Sequence, residues 1–494
     1  MQRRAFLKFS GSGIAALAFG SAGGFALLAP STARAATTVD LTMVDAAAEM
    51  VDGIQVPMWA YSTSQQVGGV PLGARIPGPI LFAVEGEPLR LTVSNQLSGG
   101  GAHGFDIPGV PGAATGPIPF GGAAVLDLAA PPAGTYMYLD PMNAPVNRNM
   151  GLHGALVVLP RVGLHTPYST PTPNVARLFG DFGTTAHFRG HPWDQDRNAV
   201  WLVNTIDPAK CAAAFASGGG ISPAAYQAGF LPQYFTINGK SGFHGAQHGA
   251  AGGGHMAPTI ESQSQISLHG NVGQPCLIRC LNAGLMWQSL HIHGNHVYQT
   301  FDRVRQPDGS LPRVIRTDLH LVDTWTMQPE TIRDVVLPFI RPPDVPTFAW
   351  RPVQERFPLL FPMHDHQEIS NTAAGANYPQ GCVTHFQIDG DVSAADEVLL
   401  VDRAELRLRT GEYRLEGRIS RNPNRVSSQV AVHAGPDDSG PEIGVATITP
   451  GAGGLDTWSL RGRALKAIPS RQVSVHATGP GSHAARQAIP LTLR

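Results

Sequence analysis

Apolar and polar residues alternate in short runs along most of this chain. The pattern is clear from 76 to 97, where a Glu-Gly-Glu turn at 85–87 interrupts it, and it returns at 234–239 and 273–284. Alternate side chains of a β-strand point to opposite faces of a sheet, so this period predicts strands with one buried face. The 57 Gly and 42 Pro residues supply many turns, and charged residues make up only 14% of the chain. We therefore predict an all-β protein.

The same pattern divides the chain into three units. Two related β-sandwiches are predicted at residues 40–160 and 170–390, because the second block repeats the pattern of the first. Further alternating runs at 404–417 and 426–433 predict a third, immunoglobulin-like sandwich over residues 393–494. We expect this last unit to be a spacer or a binding module, because the histidine motifs of the chain end before it.

The first 35 residues have the composition of an export signal. Arg3 and Arg4 precede a weakly apolar stretch at 14–28, and Ala-Arg-Ala at 33–35 is a small-residue cleavage site. Because the apolar stretch is short and broken by glycines, we predict a twin-arginine signal peptide at residues 1–35 rather than a membrane span. An ordinary signal peptide is the alternative, and both place the mature protein in the periplasm or outside the cell. Cleavage would leave 459 residues with a formal charge of about −5, which is not basic enough to predict a nucleic-acid partner.

The cysteines are too few for a disulfide scaffold. They are Cys211, Cys276, Cys280 and Cys382. Cys276 and Cys280 lie four positions apart on one predicted strand, which is too far for a bond between them. Four cysteines allow three pairings, and the sequence does not choose among them.

Two short histidine motifs are the strongest chemical signal in the sequence. They are His291-Ile-His293 and, about seventy residues later, His364-Asp365-His366. In a strand each His-x-His places two imidazoles on one face, roughly 6.5 Å apart. Imidazole nitrogen binds copper, zinc, iron and nickel, and two such pairs in a β-rich chain are hard to explain by packing. We therefore predict a metal site made by these four histidines.

Other motifs surround these histidines in a fixed order. They are Pro77-Gly-Pro79, the Glu-Gly-Glu turn, Pro132-Ala-Gly-Thr-Tyr-Met-Tyr138, Gly151-Leu-His-Gly-Ala-Leu-Val-Val-Leu-Pro160, His291-Ile-His-Gly and Pro362-Met-His-x-His366. Over residues 40–390 this order resembles the multicopper oxidase family. The resemblance implies that the first two sandwiches are cupredoxin-like Greek-key domains, that copper is the cofactor, and that the protein is an oxidoreductase.

The resemblance also implies an electron-entry site, and there this sequence departs from the family. The type 1 copper of such oxidases is held by one Cys thiolate and two His, and the Cys position falls on Asp365. The two His positions fall on Gln288 and Ser370. A carboxylate cannot make the short copper–thiolate bond of a blue site, so we predict that this chain has no blue type 1 centre.

The histidine cluster that reduces oxygen in the family is partly retained. The four histidines of the two motifs match the ligands that the last domain supplies. In the first domain one family His-x-His-Gly becomes Ala102-His103-Gly104, and a second His-x-His becomes Tyr138-Leu-Asp-Pro141, without a histidine. His153 is an irregular further candidate, for which a structural role is favoured. The predicted metal ligands are His103, His291, His293, His364 and His366.

The first domain is also similar to copper nitrite reductases, which are two-cupredoxin proteins. Their His-x-x-Asp-x-His arrangement begins as His103-Gly-Phe-Asp106, although position 108 is Pro. Their type 1 Tyr-His-Cys corresponds to Tyr138-Leu139-Asp140, so this comparison also predicts that the electron-entry site is lost. Asp106 and Asp365 are the candidate catalytic residues, as groups that move protons. Asp365 should face away from its His neighbours, so an orienting role is favoured over direct ligation.

Three hypotheses for the function stay open at this point. The first is a copper-dependent oxidoreductase with a reduced histidine site, which uses a small-molecule or metal-ion reductant and oxygen. The second is a non-catalytic periplasmic copper-binding protein, favoured by a Gly- and Ala-rich loop at 239–261 that carries His244, His248, His255 and Met256. A polar flexible loop is the simpler interpretation of that segment. The third is a secreted structural or adhesive protein whose histidines bind nothing, and in each case the sequence leaves a homo-oligomer open.

Overall fold

A computed structural model describes most of the chain. The described residues are 37–67, 70–161, 165–185, 187–193, 197–247, 266–344, 353, 355–391, 399–420, 429–435, 440–449, 455–463, 468, 471–478 and 485–494. The predicted signal peptide lies outside these residues, as do His248, His255 and Met256 of the predicted loop.

Eight strands form the first sandwich. They are β1 (Thr37–Glu49), β2 (Gln55–Val67), β3 (Val70–Arg75), β4 (Leu81–Val84), β5 (Pro88–Asn95), β6 (Ala123–Ala129), β7 (Gly134–Leu139) and β8 (His153–Leu159). One sheet has the order β3-β2-β1-β5-β6 and the other the order β4-β8-β7. Alternate residues such as Leu41, Leu91 and Leu156 are fully buried between them, as the period-two pattern predicts. A short helix, α1 (Val146–Asn149), precedes β8.

Eleven strands form the second sandwich. They are β9 (Asn198–Ile206), β10 (Tyr234–Ile237), β11 (Leu268–Gly270), β12 (Cys276–Asn282), β13 (Gln288–Ile292), β14 (Val297–Arg303), β15 (Val314–Val322), β16 (Thr324–Met327), β17 (Ile332–Leu337), β18 (Leu359–Asp365) and β19 (Val383–Ile388). One sheet has the order β10-β9-β12-β17-β14-β15, and the other the order β11-β19-β18-β13-β16. The second sheet carries both histidine motifs, because β13 and β18 are neighbours in it.

Four further helices occur among the described residues. They are α2 (Pro173–Asp181), α3 (Pro208–Ala216), α4 (Pro223–Gln227) and α5 (Gly242–Ala246). Of these, α3 packs against β2 of the first sandwich. The first turn of α3 is capped by Asp207, whose side chain accepts hydrogen bonds from the main-chain N–H groups of Ala209 and Lys210. A 3-10 helix at Glu368–Asn371 follows β18. None of the helices among the described residues has the length and hydrophobicity that a membrane crossing requires.

The first two sandwiches are joined by a buried interface. Met137 and Val157 of the first sandwich pack in one apolar cluster with Leu277 and Val336 of the second. Apolar burial across such an interface favours unfolding of both sandwiches as one unit.

A buried ion pair reinforces this interface. Nη1 of Arg279 lies 3.0 Å from Oδ2 of Asp334, and both side chains are fully buried. Thr135 of the first sandwich donates a hydrogen bond of 2.7 Å to the other oxygen of Asp334, and the Tyr168 hydroxyl donates one of 3.0 Å to Oδ2. Burial nevertheless raises the pKa of Asp334, although Arg279 acts in the opposite direction. The carboxylate therefore depends on these partners, since a buried charge without them is costly.

The described residues of the third unit form eight strands. They are β20 (Leu399–Arg407), β21 (Glu412–Ser420), β22 (Gln429–Ala434), β23 (Glu442–Thr449), β24 (Leu455–Arg463), β25 (Gln472–Thr478), β26 (Ala485–Pro490) and β27 (Thr492–Leu493). They follow the order β26-β25-β22-β23-β24-β21-β20-β27 around a core that includes Leu415, Val432 and Trp458. The predicted all-β fold is confirmed, and β-sheet makes up the core of each of the three units.

Candidate metal centre

The pairing of β13 with β18 brings the two histidine motifs together. The strands are antiparallel, and His291 lies directly opposite His364. Beyond the strand ends the main chain stays paired, because His293 N–H donates to the Pro362 carbonyl at 3.1 Å and His366 N–H donates to the Ser289 carbonyl at 2.7 Å. Strand alternation then places both outer histidines on the same face as the inner two.

The four imidazole rings form one cluster on this face. The ring of His291 lies 4.6 Å from that of His293, 4.5 Å from that of His366 and 5.3 Å from that of His364, between centroids. His364 lies 5.3 Å from His293 and 5.5 Å from His366. Two of these side chains, His293 and His366, are exposed, and the other two are half-buried. The cluster is therefore open to solvent on one side.

Three of the histidines have the spacing of metal ligands. One nitrogen from each of His291, His293 and His364 lies within 4.8 Å of the other two, and this is the only such group of His, Cys, Asp or Glu in the part of the chain that the structure describes. The Nε2 atoms of His293 and His364 are 3.1 Å apart. Two imidazole nitrogens on one ion, each at about 2.0–2.1 Å, have such a separation when they subtend roughly a right angle. The donor set therefore fits one metal ion.

Main-chain contacts fix which nitrogen of two rings is available. Nδ1 of His291 lies 2.9 Å from the Asp323 carbonyl oxygen and 2.9 Å from the Thr324 hydroxyl. Nδ1 of His364 lies 3.0 Å from the Asp365 carbonyl oxygen. Because a carbonyl only accepts, each Nδ1 carries the proton and each Nε2 presents its lone pair to the cluster. Such outer contacts are the usual way in which a protein orients histidine ligands.

The surroundings of His291 and His293 favour the neutral imidazole. Partial burial is the main reason that the pKa of His291 is lowered, and the neighbouring His293 and His366 lower it further. Burial and the adjacent His364 and His366 likewise lower the pKa of His293. A metal ligand must be deprotonated, so the same crowding that disfavours protonation prepares the site for a cation.

Asp365 lies on the opposite face of β18, fully buried, as its position between two histidines predicts. Its carboxylate accepts hydrogen bonds from the main-chain N–H of Gln367 at 2.7 Å and of Ser289 at 3.1 Å. Burial raises the pKa of Asp365, and these hydrogen bonds act in the opposite direction. The carbonyl of Asp365 orients His364, while its carboxylate holds the turn that follows the strand. The main chain of Asp365 thus contacts His364, while a role of its carboxylate in proton movement stays a prediction.

The other two positions that correspond to type 1 ligands are also buried. Gln288 is 1% exposed and its amide contacts the Trp287 carbonyl at 3.1 Å. Ser370 is fully buried and its hydroxyl donates to the Gln367 carbonyl at 2.7 Å. Both positions are thus occupied by neutral side chains that hydrogen-bond to the main chain.

The four cysteines are buried, and none of them forms a disulfide. The main-chain carbonyl of Cys382 accepts the N–H of Asp365 at 3.1 Å. Burial, with a further contribution from the Asp365 carboxylate, raises the pKa of the Cys382 thiol well above its usual value. A thiol in such surroundings stays protonated, whereas a copper ligand must be a thiolate. None of the three pairings that the sequence leaves open is formed.

His103 is buried in the first sandwich and belongs to a different network. Its Nδ1 lies 2.7 Å from Oδ2 of Asp140, which also accepts the Asn147 amide at 2.8 Å. The indole ring of Trp59 contacts the imidazole edge-on, with centroids 5.4 Å apart. His103 is not part of the group formed by His291 and its neighbours, so its role as a ligand stays a prediction. The sequence comparison drew attention to Asp140 only as an absent ligand, whereas the structure makes it the partner of His103.

Two further residues singled out in the sequence also lie in the first sandwich. Asp106 pairs with Leu139 through main-chain hydrogen bonds of 2.8 and 2.9 Å. Burial raises the pKa of Asp106, which Arg305 partly offsets. His153 donates from Nδ1 to the Arg148 carbonyl at 2.7 Å, and burial lowers its pKa to about 4. This contact supports the structural role favoured for His153, because a fully buried ring bonded to the main chain needs no metal.

Comparison with solved structures gives matches at low identity. The chain is similar to the blue copper oxidase from Nitrosomonas europaea, at 19% identity and a TM-score of 0.48, over 71% of this chain and 85% of that one. It is similar to the multicopper oxidase mgLAC, at 18% identity and a TM-score of 0.48, over 72% and 86%. It is also similar to a copper-containing nitrite reductase from Thermus scotoductus SA-01, at 15% identity and a TM-score of 0.42, over 72% and 62%.

Comparison with protein families identifies the first sandwich. No curated protein matches the chain. Residues 59–163 match the family model described as multicopper oxidase. This segment holds His103, Asp140 and His153, and it ends just after β8. The resemblance predicted from the sequence is confirmed over this segment, which matches the multicopper oxidase family from within β2 to just past β8.

Proposed function

We propose that this protein is an exported, copper-dependent oxidoreductase of the multicopper oxidase type, with copper held by the His291, His293, His364 and His366 cluster. The observation that carries the proposal is the 3.1 Å separation of the Nε2 atoms of His293 and His364 within a group whose ligand atoms lie inside 4.8 Å. Imidazole is a preferred ligand of copper. The multicopper oxidase domain at residues 59–163 favours copper over the other metals that imidazole binds.

The residues of the site have separate tasks in this proposal. His291 and His364 present Nε2, since their other nitrogens donate to main-chain carbonyls. His293 and His366 lie on the open side, where a small molecule can approach. Copper, when bound, supplies one-electron exchange with a small-molecule or metal-ion reductant and with oxygen. The lowered pKa values of His291 and His293 favour the neutral imidazole that a metal ligand requires.

The proposal includes the loss of the blue type 1 centre. Support comes from Asp365, Gln288 and Ser370, which fill the corresponding positions with groups that hydrogen-bond to the main chain. The nearby Cys382 thiol has a raised pKa, and a protonated sulfur does not form a copper–thiolate bond. Reductants then have to react at the open histidine site, so we expect slow turnover.

The test combines copper analysis, spectroscopy and turnover. The exported form is loaded with copper, dialysed, and measured for copper per chain, visible absorption and electron paramagnetic resonance. We expect bound copper without an intense blue band, and oxygen consumption with phenolic, metal-ion or thiol reductants that His293→Ala and His366→Ala abolish. An intense blue band would contradict the loss of the thiolate centre, and bound copper without any oxygen consumption would contradict the enzymatic role.

A non-catalytic copper-binding protein is the second candidate. The exposure of His293 and His366 favours it, because copper held there is accessible to a partner that delivers or removes the ion. The predicted loop at 239–261 contributes in this version. Of its histidines the structure describes His244, which lies within α5. Deletion of the loop should then lower the copper bound per chain, whereas an unchanged stoichiometry would argue for the histidine cluster alone.

Export by the twin-arginine route is part of the proposal. It rests on Arg3 and Arg4 and on the Ala-Arg-Ala sequence at 33–35. Arg3→Lys with Arg4→Lys should retain the protein inside the cell if that route is used. Continued export of this variant would point to an ordinary signal peptide. A protein that reaches the periplasm but gains no thermal stability from copper would instead support the structural or adhesive hypothesis.

A further inference from the structure

The third unit differs in charge from the rest of the chain. Positions 399–494 contain 13 Lys and Arg against 8 Asp and Glu, whereas positions 1–398 contain 22 against 28. Twelve of the 13 basic residues are Arg. An anionic partner is therefore attracted to this unit and repelled by the sandwiches that precede it.

The arginines are concentrated on one face of β20, β21 and β24. The inward side chains of these strands, such as Leu406, Leu415 and Trp458, are buried in the core. Cross-strand pairing places the intervening positions together on the outward face, with Arg407 opposite Glu412 and Arg414 opposite Arg461. We call this surface the arginine face. Its charged residues are Asp402, Arg403, Glu405, Arg407, Glu412, Arg414, Glu416, Arg418, Arg461, Arg463 and Arg494.

The carboxylates of the arginine face are shared among several guanidinium groups. Glu416 contacts Arg414 at 2.6 Å, Arg461 at 3.3 Å and Arg403 at 3.4 Å. Each guanidinium has five N–H donors, while a carboxylate has about four acceptor positions. Glu416 therefore cannot satisfy its three neighbours, and it serves to hold them in place. Across the whole face seven arginines meet four carboxylates, which leaves an excess of three positive charges.

The most exposed arginines lie at one end of the face. The side chains of Arg407, Arg461 and Arg463 are 67%, 65% and 61% exposed. Arg407 and Arg463 approach the same carboxylate, Glu412, from the two neighbouring strands, at 3.5 and 3.4 Å. Guanidinium pairs with carboxylate in a planar, bidentate geometry that lysine does not provide. The arrangement suits a ligand that carries carboxylates along its length.

Hydroxyl groups continue the face beside the arginines. Thr457 and Ser459 of β24 lie opposite Thr449 and Thr447 of β23, and all four side chains are exposed. The described positions of this face carry no aromatic ring on which a nucleic-acid base could stack. The carboxylates between the arginines also disfavour a polymer as densely charged as DNA. Hydroxyls, carboxylates and guanidinium groups together match a polymer that combines many hydroxyls with widely spaced carboxylates.

We propose that the arginine face binds an acidic polysaccharide, a polymer of sugars that carry carboxylate groups, and that the third unit holds the protein on such a polymer. From Glu412 to Arg418 the face extends about 20 Å along the strands, which is long enough for several sugar residues. This inference does not depend on copper, because the arginine face belongs to a separate unit.

The experiment is affinity electrophoresis of the full chain in gels that contain polygalacturonate. We expect retardation that weakens with added salt, and no retardation by dextran, a neutral polysaccharide. Arg407→Gln/Arg461→Gln/Arg463→Gln should raise the apparent Kd about tenfold or more, because three exposed charge contacts are lost.

The matched control removes three exposed arginines from the first two sandwiches. Arg90→Gln/Arg189→Gln/Arg356→Gln changes the net charge by the same amount and should leave the Kd within about twofold of that of the unmodified chain. If the first triple variant fails to fold, Arg461→Gln alone should still raise the Kd measurably.

Three results would overturn the proposal. They are an absence of retardation by polygalacturonate, equal losses in the two triple variants, and tighter binding of double-stranded DNA than of polygalacturonate at the same salt concentration. The last result would assign the face to nucleic acid instead.

Discussion

Replacement of His293 by Ala is the most direct test of the metal centre. The side chain is exposed, and in the absence of metal it contacts mainly other histidines. Loss of an exposed side chain changes the free energy of unfolding by about 0.5 kcal/mol or less. The variant should therefore fold normally, with the melting temperature of the metal-free parent. Only its response to copper should differ.

The size of that difference follows from mass action. Copper at 100 times its Kd stabilises the folded protein by about 2.7 kcal/mol. The entropy of unfolding is about 2.1 cal/mol/K per residue, so this stabilisation raises the melting temperature by roughly 7 °C if the second sandwich unfolds alone. The rise is roughly 4 °C if the buried apolar interface of Met137 and Val157 with Leu277 and Val336 makes both sandwiches unfold together. In His293→Ala, loss of the closest nitrogen pair should reduce the rise to less than about 1 °C.

The assay is differential scanning calorimetry with and without copper, together with copper analysis after dialysis. His187→Ala is the matched control, because His187 is an exposed histidine outside the cluster and its loss should leave the copper response unchanged. An equal copper-induced rise in His293→Ala and in the parent protein would refute the assignment. A loss of the response in His187→Ala would show that copper acts elsewhere.

Three further outcomes are expected. Asp365→Cys alone should give no intense blue band in visible spectra of the copper-loaded protein, because Gln288 and Ser370 still occupy the positions of the two imidazole ligands. A strong band would show that another ligand completes a thiolate site. Stability should decline in acid because the pKa of His153 is lowered to about 4 in the folded protein from about 6.5 in an unfolded chain. The unfolded chain then binds the proton first as the pH falls. Neutral His153 therefore contributes roughly 3 kcal/mol to the free energy of unfolding above pH 6.5, and this contribution is lost as the pH falls towards 4. Urea unfolding across this pH range should show the loss of stability in the parent protein and a flatter dependence on pH in His153→Gln. Parallel curves for the two proteins would contradict this role of His153. Arg279→Met should lower the free energy of unfolding by about 3–5 kcal/mol, because it leaves the buried Asp334 carboxylate without its cation. A loss below about 1 kcal/mol in urea unfolding would show that the ion pair is not needed for stability.

Local pattern was sufficient to predict the histidine face. The period-two alternation of strands places His291 with His293, and His364 with His366, whatever the rest of the chain does. The same rule predicts that Asp365 faces the other way, and it is buried on the opposite side of β18. The all-β fold also follows from local pattern, because alternation and turn residues recur within short windows.

The partners of these residues were not readable from the sequence. His103 is paired with Asp140, 37 positions away, and the family comparison marked Asp140 only as an absent ligand. The nitrogen that His291 presents is set by the Asp323 carbonyl, 32 positions away. Main-chain carbonyls are common to all residues, so no side-chain motif identifies the one that orients a ligand. The contacts of Glu416 with arginines of three strands could not be read from the sequence either, because they depend on the register between those strands.

The order of apolar residues and histidines along the chain was enough to predict a protein built of β-sandwiches, in which two pairs of imidazoles each point to one side of a strand. The tertiary structure decided that β13 and β18 are neighbours, with His291 opposite His364, so that two pairs become one cluster. The physical reason is that side-chain direction depends on the backbone of a few successive residues. The pairing of distant strands depends on the burial of whole sheet faces against one another, to which the entire chain contributes.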